Sequence, residues 1–155
     1  MGNCDNTSNK AEFQGVNSCL SASRYGDITA CSYGCLGFGD CVNACLSNAI
    51  TVCNGVAVVD IDKCGGCGLC EKACPRKLIT VAPVKEQAVV RCSNHDKGAV
   101  AKKACKAACI GCMKCMKVCE AGAITVNNFC ATIDPAKCTG CGVCVENCPS
   151  KCISI

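Results

Sequence analysis

The chain has no tryptophan, two tyrosines, three phenylalanines and a single histidine in 155 residues. Aromatic side chains supply much of the core area of ordinary domains, so this interior has to be assembled from small Val, Ile and Ala clusters. No nucleophile stands with a base, no carboxylates pair in an apolar setting and no Gly-rich phosphate loop is present, so no catalytic site of its own is expected. Half the residues are apolar, yet no run approaches the roughly 18 to 20 consecutive apolar residues of a membrane span. The chain as given is therefore expected to be soluble. Met1-Gly2-Asn3-Cys4-Asp5-Asn6 leads into polar residues without the apolar segment of a signal peptide. Lysines are scattered singly apart from Lys102-Lys103, which argues against a nucleic-acid footprint and for solvated faces.

Cysteine is what the chain has in excess, 23 in all. A secreted disulfide scaffold is the first reading of such a count, but the number is odd and triplets spaced by two are awkward for mutual bridges. Structural zinc usually takes two C-x2-C pairs separated by a longer loop. Here the best-formed runs are Cys64, Cys67, Cys70, Cys74-Pro75 and Cys138, Cys141, Cys144, Cys148-Pro149, each spaced C-x2-C-x2-C-x3-C-P. That is the bacterial ferredoxin run, which wraps three thiolates around a cube of iron and sulfide and sends the fourth to a neighbouring cube. The block from Cys31 to Val81 recurs without a gap as Cys105 to Ile155, a shift of 74 residues.

One such run implies a second. Cys31, Cys35, Cys41, Cys45 partner the first and Cys109, Cys112, Cys115, Cys119 the second, sixteen cysteines in all. The expected cofactors are four 4Fe-4S clusters. The expected fold is α+β: two tandem bacterial-type two-cluster ferredoxin modules, with short helices and small antiparallel hairpins around the clusters. The divisions are an N-terminal arm at 1–30, a first module at 31–83, a connecting segment at 84–104 and a second module at 105–155. Formal charge is +4 with every thiol neutral; with about −2 on each tetrathiolate cube the loaded protein moves to roughly −4. Lys63, Lys77, Lys137 and Lys151 flank the loops, placed to raise potentials or to receive an acidic partner.

Within each module the order is cluster loop, short helix, hairpin, cluster loop, short helix, last strand. Ala49 to Cys53, the pair Asn54-Gly55 and Val56 to Asp60 read as a hairpin with positive φ at its turn. Its copy is Ala123 to Val126, turn residues Asn127-Asn128, and Cys130 to Asp134. Gln87 to Arg91 reads as a strand and Lys97 to Ala108 as a helix, with His95 as a capping or turn residue between them in preference to a ligand. The polar arm as far as Asn9 is expected to fray, and Gly15 to Leu20 to begin a short helix.

Because the fourth cysteine crosses, the predicted sets are Cys31, Cys35, Cys41 with Cys74; Cys64, Cys67, Cys70 with Cys45; Cys109, Cys112, Cys115 with Cys148; and Cys138, Cys141, Cys144 with Cys119. One set is irregular. Phe38 stands where the repeat puts Cys112, so the first run reads C-x3-C-x5-C and is complete only if Cys31 serves through a longer loop. Cys105 is then a spare, or a competitor of Cys109 or Cys112. Leu46 and Glu120 replace the proline that ends the other two runs. Cys53, Cys130 and Cys152 fall on strands and read as buried hydrophobes. Cys4 and Cys19 read as spare thiols, with loan to a site completed from elsewhere as the alternative; Cys92 has no role.

Ala30 to Cys41 (ACSYGCLGFGDC) resembles the B-type iron–sulfur component of the Rnf complex, a membrane-bound ferredoxin:NAD oxidoreductase that exports sodium or protons. Gly15 to Cys19, Asn54 to Ala57 and Cys92 to Gly98 are similar to other segments of that family. The resemblance implies a donor, reduced ferredoxin, at the cytoplasmic face of the membrane, and other Rnf-type redox subunits as acceptors. It also implies a membrane helix and a further cluster domain in the family that this sequence lacks, so membrane contact is expected only through partners or a missing N-terminal helix. The competing readings are a polyferredoxin wire of a hydrogenase, formate dehydrogenase or heterodisulfide reductase, and a metal-buffering or zinc-structural protein without redox work.

Overall fold

The computed structural model describes residues 4, 7, 8, 10–82 and 86–155. Most of the arm's first nine residues, and the expected module boundary at Pro83 and Val84, lie outside that range. The chain forms two compact units, Met1–Pro83 and Val84–Ile155. The stretch at 84–104 that reads as a connector therefore lies within the second unit.

In the first unit, α1 (Cys19–Tyr25) is followed by α2 (Asp40–Asn43), the hairpin β1 (Ile50–Cys53) and β2 (Val56–Val59), and α3 (Leu69–Ala73). The hairpin pairs Ile50 with Val59 and Cys53 with Val56, so Asn54 and Gly55 make the turn, at φ 50° and 74°. Only Ile50 and Val56 of this ribbon are buried. Cys53, expected inside, is exposed, although its cross-strand partner Val56 is buried. The arm is held where it is described: Lys10 N–H donates to the Ile28 carbonyl at 2.8 Å and Ala30 N–H to that of Ser8 at 2.8 Å.

The second unit comprises β3 (Val89–Val90), α4 (Gly98–Ala104), α5 (Lys114–Lys117), the hairpin β4 (Ile124–Asn127) and β5 (Cys130–Ile133), α6 (Val143–Glu146) and β6 (Ile153–Ser154). Its hairpin turns one residue later than expected: Asn127 pairs with Cys130, and Asn128 and Phe129 take positive φ. β3 pairs antiparallel with β6, Val90 opposite Ile153. The matching last strand of the first unit is absent among the described residues, where 77–82 have no ladder partner. Five of the nine buried residues in the second unit's main core are cysteines: Cys109, Cys115, Cys130, Cys144 and Cys152. His95, expected as a cap or turn residue, lies in the irregular stretch ahead of α4, where Lys97 is the cap, and its Nδ1 is 3.2 Å from the Asn128 carbonyl.

Candidate functional site

Each regular cluster loop turns around its middle cysteine by placing a left-handed residue on either side of it. Gly66 and Gly68 flank Cys67, Gly111 and Met113 flank Cys112, and Gly140 and Gly142 flank Cys141, with φ between 59° and 78°. That conformation bends the chain so that successive thiols face one centre, and glycine adopts it without Cβ strain. The second flanking residue then starts a helix, so the third thiol rides on its first turn: Cys70 on α3, Cys115 on α5, Cys144 on α6. The first loop has the same shape, with Gly37 (75°) and Gly39 (82°) on either side of Phe38 and Cys41 on α2.

Two small pockets in the second unit collect the crossed sets. Cys109, Cys112 and Cys115 line one together with Cys148. Cys138, Cys141 and Cys144 line the other together with Cys119. Cys105 lines neither and lies with Ala101 and Ala108 in a separate small core. In the first unit Cys64 and Cys45 act on Cys70, whereas the thiols acting on Cys41 are Cys35, Cys19 and Cys74. The sequence reading puts Cys31 in that last group and leaves Cys19 outside it.

Burial first, and the crowding of neighbouring thiols second, push Cys41 and Cys115 up to about 11. The same two causes raise Cys70 and Cys144. Four such thiolates cannot gather without cationic compensation, which iron supplies. Among the described residues no three Cys, His, Asp or Glu groups converge on a single metal ion. A cube does not ask for that convergence, because each thiolate bonds a different iron. The donor sets are sulfur alone, the soft environment iron–sulfur clusters take, so the residues fit the group.

The chain also supplies hydrogen bonds to the crossing sulfurs. The Ala49 N–H donates to Cys45 Sγ at 3.3 Å, Leu78 N–H to Cys74 Sγ at 3.4 Å and Ala123 N–H to Cys119 Sγ at 3.4 Å. Cys148 instead has the thiol of Cys152 at 3.6 Å. Cys130 and Cys152 are both buried, as their strand positions predict; the Cys130 thiol donates to the Cys92 carbonyl at 3.3 Å, which leaves Cys152 as the side chain lying against a crossing sulfur. A donor to a cluster sulfur stabilises the more negative, reduced state. Replacing Cys152 by Ala should lower one of the cluster potentials by roughly 20 to 60 mV, one net hydrogen bond of about 0.5–1.5 kcal/mol on a one-electron couple. A redox titration followed by EPR measures it; an unchanged potential in that variant refutes the role.

The flanking lysines do less than their placement suggests. Lys63 pairs with Asp60 at 3.2 Å and Lys137 with Asp134 at 3.8 Å, the same exposed pair in both units, and such surface pairs are screened by solvent and contribute little. Asp40 does more. Its carboxylate accepts from Cys19 N–H at 2.9 Å, Leu20 N–H at 3.0 Å and Ser18 Oγ at 3.0 Å, capping α1 from outside. Partial burial pushes Asp40 upward, but these three bonds together outweigh it and hold the carboxyl below its usual range. Asp40→Ala should cost about 1–2 kcal/mol, as loss of an N-cap does, and speed iron release to a chelator from the first unit only.

A family described as a 4Fe-4S dicluster domain matches residues 108–152, and one described as a 4Fe-4S binding domain matches 57–80. The class follows from loops and matches together: a ferredoxin-type α+β protein whose cofactors are 4Fe-4S clusters. Over nearly its whole length the chain is also a relative of the B-type components of ion-translocating, Rnf-type oxidoreductases. It is 43% identical over 99% of its length to that component of the Na(+)-translocating ferredoxin:NAD(+) oxidoreductase complex of Acetobacterium woodii, covering 47% of that protein. It is 45% identical over 93% of its length to the corresponding component of the ion-translocating oxidoreductase complex of Methanosarcina acetivorans, covering 55%. To the counterpart from the proton-translocating complex of Clostridium ljungdahlii it is 38% identical over 98%, covering 55%. The chain spans about half the length of these curated relatives. No helix among the described residues is long and apolar enough to cross a membrane.

Proposed function

We propose that this chain carries electrons through four 4Fe-4S clusters, accepting them from reduced ferredoxin and passing them to other redox subunits of an Rnf-type ion-translocating complex at the cytoplasmic face of the membrane. The observation that carries the reading is the crossed pattern of thiols, in which Cys148 joins the loop of Cys109, Cys112 and Cys115 while Cys119 joins that of Cys138, Cys141 and Cys144. Crossing ties two cubes to one another through the short helices α5 and α6, which is what a relay requires. Bound there, the cubes would supply one-electron chemistry at low potential.

The chain's own part is to wrap, insulate and tune. By the same pattern Cys45 would join Cys64, Cys67 and Cys70, and Cys74 would join Cys35 and Cys41. The buried aliphatic residues Ile50, Val56, Ile124 and Ile153 keep water from the inner faces, and the amides that donate to crossing sulfurs lower the cost of added charge. In the regular loops the middle thiols Cys67, Cys112 and Cys141 are exposed, which would leave one corner of each cube open to a partner.

The test is anaerobic. Protein reconstituted with iron and sulfide should hold about sixteen of each per chain, four cubes of four, and its absorption near 400 nm should bleach when substoichiometric reduced ferredoxin is added. Bleaching by dithionite but not by ferredoxin would favour the wire of another redox complex. A folded, colourless zinc protein would end the electron-transfer reading.

A further inference from the structure

The first loop has the conformation of the other three without their middle thiol, so a cube seated there lacks a ligand on the loop itself. We propose that Cys19, on the first turn of α1, supplies it, completing a set of Cys19, Cys35, Cys41 and Cys74, and that Cys31 is not a ligand. The assignment rests on the four-cluster reading and deepens it.

Two independent links put α1 in the right place. Asp40 immediately precedes Cys41 and grips the N-terminus of α1 through Ser18, Cys19 and Leu20, so the backbone of Cys19 is tied to the residue beside a ligand. Phe38, standing where the other loops have cysteine, packs edge-on against Phe13 at 5.5 Å, and Phe13 packs edge-on against Tyr25 of α1 at 5.5 Å. Three of the five aromatic residues in the chain are thus spent on joining the arm to the loop that lacks a thiol. Cys19 itself is buried, on the first turn of the helix that Asp40 holds.

Cys31 occupies a different kind of place. It stands at the repeat position of Cys105, both are 8% exposed, and Cys105 lies outside a cavity that already has its four thiols. The position is a buried thiol in the module whose ligands are complete, and it is equally buried in the module where one is missing. Backbone groups hold the Cys31 segment: its N–H donates to Thr7 Oγ1 at 3.1 Å, its carbonyl accepts from Thr29 Oγ1 at 2.8 Å, and Arg76 Nη1 donates to the Gly34 carbonyl at 2.7 Å.

Binding at Cys19 replaces its thiol proton by an Fe–S bond, as at any other ligand, so the cube's charge is that of the other three. The difference is exposure. Where the other loops offer a solvent-facing middle thiol, this cube is closed by a buried cysteine under α1, with Phe38 and Phe13 alongside. The arm therefore becomes part of the cluster site.

The experiment compares C19S, C31S and the double variant C19S/F38C, all reconstituted anaerobically and assayed for iron and acid-labile sulfide, with low-temperature EPR. The F38C change restores C-x2-C-x2-C spacing at Cys35 and Cys41. Against about sixteen irons in the unaltered protein, C19S should fall to about twelve, or hold a three-iron cluster with its own EPR signal in the oxidised state, each cube carrying four irons. C31S should stay at the unaltered count, and C19S/F38C should regain it. Full loading of C19S, or loss of a cube in C31S that C19S retains, overturns the assignment; so does a C19S defect that F38C leaves unrepaired, since that marks a structural role. An unaltered count well below sixteen counts against the four-cluster reading instead, and the comparison of C19S with C31S still decides the ligand.

Discussion

Stripping all iron from the anaerobic protein with a chelator is expected to abolish its far-UV circular dichroism, with recovery when iron, sulfide and a thiol reductant are returned. Among the described residues no helix exceeds seven residues and no strand exceeds four. Isolated helices shorter than about 12–15 residues do not persist in water, and a lone two-stranded ribbon is marginal. The packing that normally rescues short elements is missing as well. In the second unit's core the cysteines that outnumber the aliphatic residues include three proposed ligands, Cys109, Cys115 and Cys144. Without iron, the cavities they line become voids, and surface around a void loses its contact partners. Ligand binding and folding are then one equilibrium. A fully stripped chain that keeps its native spectrum and still melts cooperatively would show that side-chain packing alone is enough.

What was legible in the sequence, and what was not, follows from the range of each signal. Asn54-Gly55 marks the first hairpin because two adjacent residues that favour positive φ stand between two β-branched runs. The copy offers Asn127, Asn128 and no glycine, so the turn could not be placed from composition. Its register is set by pairing, Ile124 opposite Ile133, which forces Phe129 to φ 61° against its preference. The left-handed positions flanking Cys67 and Cys141 are visible as glycines, whereas Met113 takes the same conformation with no local signal at all. Spacing names the regular triplets because three ligands within seven residues are a local pattern. It could not find Cys19, whose place depends on a hydrogen bond to Asp40 spanning 21 residues. The one hint is the mismatch itself, a phenylalanine at a ligand position beside an arm rich in the chain's scarce aromatics.

The two units provide each other's control for a test of loop packing. Gly66 and Gly140 are the same repeat position, with φ 69° and 74°, so alanine at either has the same left-handed strain, roughly 1–2 kcal/mol. Their surroundings differ. A Cβ at Gly66 meets nothing within 4 Å, while one at Gly140 runs into the backbone carbonyl of Glu86, just ahead of β3. That carbonyl belongs to main chain rather than to the tip of a flexible side chain, so it yields only if the segment leading into the β3–β6 ribbon moves. Overpacking of this kind costs about 1–3 kcal/mol beyond the strain, which would shift the opening equilibrium of the Cys138, Cys141, Cys144 loop by roughly 5- to 150-fold. Gly66→Ala should load fully and release iron to a chelator only modestly faster than the unaltered protein. Gly140→Ala should release the iron held by its loop at least about five times faster than Gly66→Ala releases the iron of the matching loop. Equal release from the two variants would mean that the Glu86 segment yields freely, and that β3 is not part of what closes this cluster site.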